Sequence, residues 1–221
     1  MFPVSDVIPS KTTPYITIAL IAANVLAFAY ELRLSRIELQ SLAESFGVVP
    51  VAFAWPTLLT SQFLHAGPVH LFGNMLYLWI FGDNVEDQLG HVRYLAFYLF
   101  CGAGAALGQV AVSPASVIPM IGASGAIAGV MGAYFVMYPR SRVLAVVFLV
   151  FFLDLIEIPA IFFLGIWFVM QLFSGVGSIG TRSLNGGVAF WAHIVGFGVG
   201  VAGGLYWRVR ETMRRRARAS R

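Results

Sequence analysis

The chain has 221 residues, of which 59% are hydrophobic and only 11% charged, against about 25% charged in an average soluble domain. That composition excludes a soluble globular domain, a disordered chain and a disulfide scaffold, and it leaves an integral membrane protein. The net charge of +4 is not a nucleic-acid signature, because seven of the 14 Lys and Arg residues (Arg208, Arg210, Arg214, Arg215, Arg216, Arg218 and Arg221) fall in the last 14 positions, where basic residues hold a helix end in the cytoplasm and touch anionic headgroups.

A bilayer core about 30 Å thick takes roughly 20 apolar residues of helix. The first candidate span is Tyr15–Leu32; it lacks a small-residue cleavage site and reads as uncleaved, not as a removable leader. Residues 33–68 form a mixed segment holding Arg33, Arg36, Glu38 and Glu44, and its Phe46, Phe53 and Trp55 predict a segment lying in the interface. Then come Val69–Phe81, Val92–Val112, Ile118–Tyr138 and a long stretch from Val143 to Phe173. That stretch exceeds one perpendicular span, is short for two, and holds Asp154, Glu157 and Pro159. It predicts one span near its C-terminal half, preceded by a bent or interfacial piece. The last span is Val188–Trp207.

Six spans with the N-terminus inside place Arg140, Arg142 and the basic tail in the cytoplasm, as the positive-inside rule requires. The expected fold class is an all-α membrane protein, a six-transmembrane-helix bundle. Residues 1–14 form a short cytoplasmic N-terminus, 15–207 the membrane domain and 208–221 a basic cytoplasmic tail. Cys101, the single cysteine, cannot form an internal disulfide and reads as a buried, inert thiol.

Polar residues inside a membrane must be satisfied or used, and three groups stand out. His70 and Asn74, at i and i+4, share one face of the second span; they are either interhelical hydrogen bonders or aimed donors, and they are too few to hold a metal. Gly122-Ala123-Ser124-Gly125 opens the fourth span, where a serine is either a small packing residue or a nucleophile. His193, in Ala192-His193-Ile194-Val195-Gly196, is either a core hydrogen bonder or a proton-transfer group. In the six-span arrangement Asn74, Ser124 and His193 each lie five or six residues below the outer end of their span, about 8–10 Å deep.

Small-residue stripes bring two of these spans together. Gly125, Gly129 and Ala133 form one, and Ala192, Gly196, Gly200 and Gly204 form another; such stripes let helix backbones approach closely. His193 flanks the second stripe, so close approach sets its imidazole near Ser124 Oγ. Serine beside histidine is the minimum for nucleophilic catalysis. His70, Asn74 and the Ser124 backbone N–H are the candidate donors to the oxyanion that forms. Asp154 and Glu157 are the only acids near enough in sequence to orient His193, and neither lies at the right depth, so the arrangement reads as a dyad.

From about Leu59 to Gly204 the sequence resembles the rhomboid intramembrane serine proteases. The resemblance rests on His65-x4-His70-x3-Asn74, on Gly122-Ala123-Ser124-Gly125, and on Ala192-His193-x2-Gly196-x3-Gly200, with Phe81–Asp87 and Trp167–Gly175 resembling bacterial members. It implies Ser124 as nucleophile, His193 as general base, and an oxyanion site of His70, Asn74 and the Ser124 amide, with no metal or cofactor. The implied substrates are transmembrane segments of other membrane proteins, and the implied location is a bacterial inner membrane. The Trp-Arg pair many members carry in the first outer loop is missing from residues 33–68. The alternative is a catalytically inactive rhomboid-like protein that binds or escorts membrane-protein clients, although such relatives typically lack the serine or the histidine. If His193 is the base, activity falls as pH drops through its pKa, near 6.5 for an unperturbed imidazole.

Overall fold

The apolar runs become the long helices of a computed structural model that describes residues 2–149, 152–178 and 189–219. Strand β1 (Phe2–Asp6) leads into α1 (Tyr15–Glu31), one residue shorter than the predicted first span. The mixed segment folds as α2 (Arg36–Phe46), a 3-10 turn at Pro50–Ala52, the short α3 (Thr57–Thr60) and a second 3-10 turn at Ser61–Phe63. α2 starts at a capping box, in which the Ser35 hydroxyl accepts from Glu38 N–H and the Glu38 carboxylate accepts from Ser35 N–H. Phe46 and Trp55 are exposed, and Trp55 meets Phe53 edge to face at 5.1 Å.

α4 (Pro68–Leu89) begins at a proline, which suits the first helical turn. It runs eight residues beyond the apolar run ending at Phe81, because its polar end finds partners in the N-terminal segment. Glu86, 1% exposed, accepts from Ile16 N–H, Thr17 N–H and the Thr17 hydroxyl, satisfying donors of the first turn of α1. Asp87 accepts from Lys11 and Thr12, and Asp83 from Ser10. α5 (His91–Val112) follows across Gly90, whose φ of 76° supplies the sharp turn.

α6 (Ser124–Met137) starts six residues later than the sequence predicts. Residues 118–123 are apolar but not helical: Pro119 interrupts them, Met120 pairs with Val48 in an isolated antiparallel bridge, and Gly122 takes a positive φ of 128°. Residues 125–134 of α6 are all buried, so it is the central helix of the bundle. Gly125, Gly129 and Gly132 meet Gly196, Gly200 and Phe197 of α8 (Phe190–Ala219), and a Cβ added at Gly200 would collide with the Gly129 carbonyl. The two small-residue stripes therefore pack as predicted. Cys101 of α5 is fully buried against Gly129.

The all-α expectation is corrected by a three-stranded antiparallel sheet of order β1-β2-β3. β2 (Arg142–Leu149) and β3 (Phe152–Pro159) form a hairpin that replaces the predicted bent or interfacial piece, and α7 (Ala160–Gly177) is the single span after it. Arg142 pairs with Pro159, and the Arg142 guanidinium reaches Glu157 at 3.3 Å. The third strand comes from the N-terminus: Phe2 pairs with Val146 and Asp6 with Val143. The N-terminal segment thus supplies a strand, Phe2–Asp6, and a tether to α4 through Ser10, Lys11 and Thr12. β1 lies along α4, where Phe2 stacks on Phe72 at 6.3 Å. Asp6 accepts there from Asn84 Nδ2 at 3.0 Å and from the hydroxyl of Tyr134, on α6, at 2.6 Å.

By length and composition, three of the described helices suffice to cross a membrane: α5, α7 and residues 190–218 of α8; α1 and α6 are shorter apolar helices. Val69 and Phe72 on α4, Val92 and Phe100 on α5 and Phe173 and Val176 on α7 face outward, an apolar surface suited to hydrocarbon. Val188 of the predicted last span, Val150 and Phe151 of the long stretch and Arg221 of the tail lie outside the described residues. α8 carries the helix on through the basic residues to position 219.

Candidate active site

Four elements converge on one point. Ser124 is the first residue of α6 and His193 lies in the first turn of α8, where the glycine contacts hold the two backbones together. Ser124 Oγ and His193 Nε2 are 2.8 Å apart. A loop, not a helical turn, delivers Ser124, so a count of helical residues from position 118 does not give its place in the span.

His193 Nδ1 lies 2.8 Å from Gln171 Oε1 of α7. A carbonyl oxygen only accepts, so Nδ1 carries the proton and Nε2 presents its lone pair. The Ser124 hydroxyl is then the donor, which is the polarity a general base needs. The Trp167 ring, also on α7, lies 5.9 Å from the imidazole centroid at 37°. Asp154 and Glu157, the acids considered for orienting His193, are exposed on β3, and Glu157 is engaged with Arg142. Sequence reasoning missed Gln171; its signal was a single amide in the apolar run from Phe162 to Phe173.

His70 faces the same point from α4. Its Nδ1 accepts from Ala66 N–H at 3.3 Å, which leaves Nε2 as the protonated, donating nitrogen. Gly122 separates this nitrogen from the serine: a Cβ there would stand 2.9 Å from His70 Nε2 and 3.7 Å from Ser124 Oγ. Gly122 is thus required for space and for its positive φ, and its N–H donates to Ser61 carbonyl at 2.8 Å, fixing the loop. Asn74, one helical turn below His70, is buried, and its Nδ2 has no hydrogen-bond partner among the described residues. A buried donor without an acceptor costs about 1–3 kcal/mol, and Asn74 Nδ2 is thus free to receive one. The Ser124 N–H belongs to the first turn of α6, whose amides have no intrahelical acceptors. Ser124 and His193 are therefore in hydrogen-bond contact, His70 stands across Gly122 from the serine, and Asn74 lies one helical turn further along α4. His65 of the same motif packs edge-on against His70 at 5.1 Å and is buried, a packing role. Among the described residues no cluster of three or more His, Cys, Asp or Glu side chains is arranged to hold a metal.

The family description "Rhomboid domain" matches residues 52–210, a range that contains every one of these side chains. Among similar proteins, the rhomboid protease GluP of Bacillus subtilis is 43% identical over 79 residues, covering 36% of this chain and 15% of GluP. Rhomboid-like protein 11, chloroplastic, of Arabidopsis thaliana is 41% identical over 76 residues, 34% of this chain and 27% of the relative. Rhomboid protein 1, mitochondrial, of Saccharomyces cerevisiae is 27% identical over 154 residues, 68% of this chain and 41% of the relative. The matched stretches cover less than half the length of these relatives.

Proposed function

This chain belongs to the rhomboid family, and from that premise we propose that it is an intramembrane serine endopeptidase working through a Ser124–His193 dyad. The observation that carries the reading is the 2.8 Å contact between Ser124 Oγ and His193 Nε2, with His70 across Gly122 from the serine. Ser124 Oγ attacks the carbonyl carbon of a substrate peptide while its proton passes to His193 Nε2. The oxyanion accepts from His70 Nε2–H, Asn74 Nδ2–H and Ser124 N–H. His193 then gives its proton to the leaving amine nitrogen as the C–N bond breaks, leaving an acyl-serine. A water molecule loses a proton to His193, attacks the ester and releases the new carboxyl end, and Ser124 recovers its proton. The scheme calls on no metal or cofactor.

The substrates in this reading are transmembrane segments of other membrane proteins. A helical carbonyl is already hydrogen-bonded, so a segment must unwind locally before Ser124 attacks it. Six spans with both termini in the cytoplasm open the site toward the outer side and set the arginines of α8 against anionic headgroups.

The test is cleavage of a transmembrane reporter by purified protein in detergent, with Ser124→Ala and His193→Ala beside the wild type and fluorophosphonate labelling of Ser124 in parallel. Cleavage lost in both folded variants supports the dyad. Cleavage that survives in Ser124→Ala refutes the nucleophile. A wild type that neither cleaves nor labels identifies a client binder instead of an enzyme.

A further inference from the structure

We propose that Gln171 is the positioning residue of the active site, holding His193 in the one tautomer and orientation that lets it accept the Ser124 proton; this rests on the dyad reading above. An imidazole with a free Nδ1 is divided between two tautomers, and only the form protonated at Nδ1 offers Nε2 a lone pair toward serine. The Gln171 carbonyl oxygen, 2.8 Å from Nδ1, selects that form. An amide N–H in its place would select the other and turn a proton toward the serine. Serine hydrolases usually place a carboxylate here; in this chain the acids near α7 in sequence, Asp154 and Glu157, are exposed on the hairpin, and a neutral amide holds the place.

Three further observations fix the role. Trp167, one helical turn before Gln171 on α7, packs its ring against the imidazole at 5.9 Å and a tilt of 37°, a neighbour that crowds rotation about the Cβ–Cγ bond. Phe168 stacks on Phe197 of α8 at 4.7 Å and 24°, which fixes the distance between the two helices at this level. Ala192 N–H, next to the histidine, donates to Gln109 Oε1 of α5 at 3.3 Å, so the first turn of α8 is held from its other side as well. The groups facing the imidazole are Ser124 from α6, Trp167 and Gln171 from α7, and from α4 the titratable His70.

The test compares Gln171→Met, which keeps the length and removes the acceptor, with Gln171→Glu, which leaves an acceptor and adds charge. Reporter kcat and KM and the rate of Ser124 fluorophosphonate labelling are followed across pH. Gln171→Met is expected to lower kcat and labelling about 10–100-fold with KM unchanged, the size of effect seen when a histidine loses the group that orients it. Gln171→Glu is expected to retain most of kcat and to move the acidic limb of the profile to higher pH, because a carboxylate beside Nδ1 favours the imidazolium; a side chain that only packs α7 against α8 moves no pH limb. Wild-type kcat and labelling in Gln171→Met, or an unmoved acidic limb in Gln171→Glu, overturns the proposal, and if Gln171→Met fails to fold the Glu variant decides alone. Cleavage that survives in Ser124→Ala, measured alongside, marks a failure of the dyad itself.

Discussion

Gly122→Ala offers a sharp probe, because one methyl group acts on two things at once. The backbone at position 122 has φ of 128°, where a residue with a Cβ pays about 1–3 kcal/mol. The new Cβ would also stand 2.8 Å from His70 Cε1 and 2.9 Å from Nε2, whereas non-bonded heavy atoms settle at about 3.5–4.0 Å. The imidazole must therefore retreat by roughly 0.6 Å or more. An oxyanion donor works within about 2.7–3.1 Å of its target, so that retreat takes His70 out of range. Losing one such donor lowers kcat about 10²–10³-fold, or about 2.7–4 kcal/mol. The assay is kcat and KM on a transmembrane reporter beside a thermal melt in the same detergent. The expected result is a protein with a modestly lower Tm, a KM near wild type and a kcat down by two orders of magnitude or more. A folded Gly122→Ala protein with wild-type kcat would refute the placement of His70 at the reacting centre.

Two further outcomes test other parts of the molecule. Asn74→Ala removes a buried donor that has no partner among the described residues, so kcat is expected to fall about 10²-fold while thermal stability holds or rises; an unchanged kcat would remove Asn74 from the oxyanion site. Glu86→Ala strands the amides of Ile16 and Thr17 and the Thr17 hydroxyl, which is expected to cost about 3 kcal/mol; a thermal melt with unchanged Tm would show that α1 is anchored by other contacts.

The helices of the bundle were legible because hydrocarbon imposes one rule, that backbone groups bond within their own segment and apolar side chains face out. Tyr15–Glu31 and His91–Val112 follow it almost to the residue. The approach of Ser124 to His193 was legible for a related reason, since glycines spaced four apart have few uses in a membrane other than letting backbones touch. The start of α6 was not. Residues 118–123 are as apolar as the helix they precede, so hydropathy runs on through a loop that Pro119 and the positive φ of Gly122 end abruptly. The sheet was hidden more deeply. Residues 143–149 form an apolar run in which strand and helix periodicity are hard to separate, and one partner strand lies some 140 positions away at Phe2–Asp6. Gln171 escaped notice because one neutral amide in a span usually ties helices together, and sequence gives no sign of which atom it meets.

The glycine contacts between α6 and α8 carry a mechanical consequence. Helices packed through long side chains can shift against each other as those side chains change rotamer. In this protein the helices bearing Ser124 and His193 touch main chain to main chain, at Gly125 against Gly196 and Gly129 against Gly200, and a backbone has no rotamers to sample. With the imidazole held separately by Gln171 and Trp167, the spacing of the backbones that carry Ser124 and His193 is as stiff as the pair of helices themselves. Changes in lipid thickness or temperature that loosen outward-facing residues such as Phe100 or Phe173 leave it untouched. Heat widens the gap between these two backbones only by prising the helices apart, so their spacing and the fold are lost together.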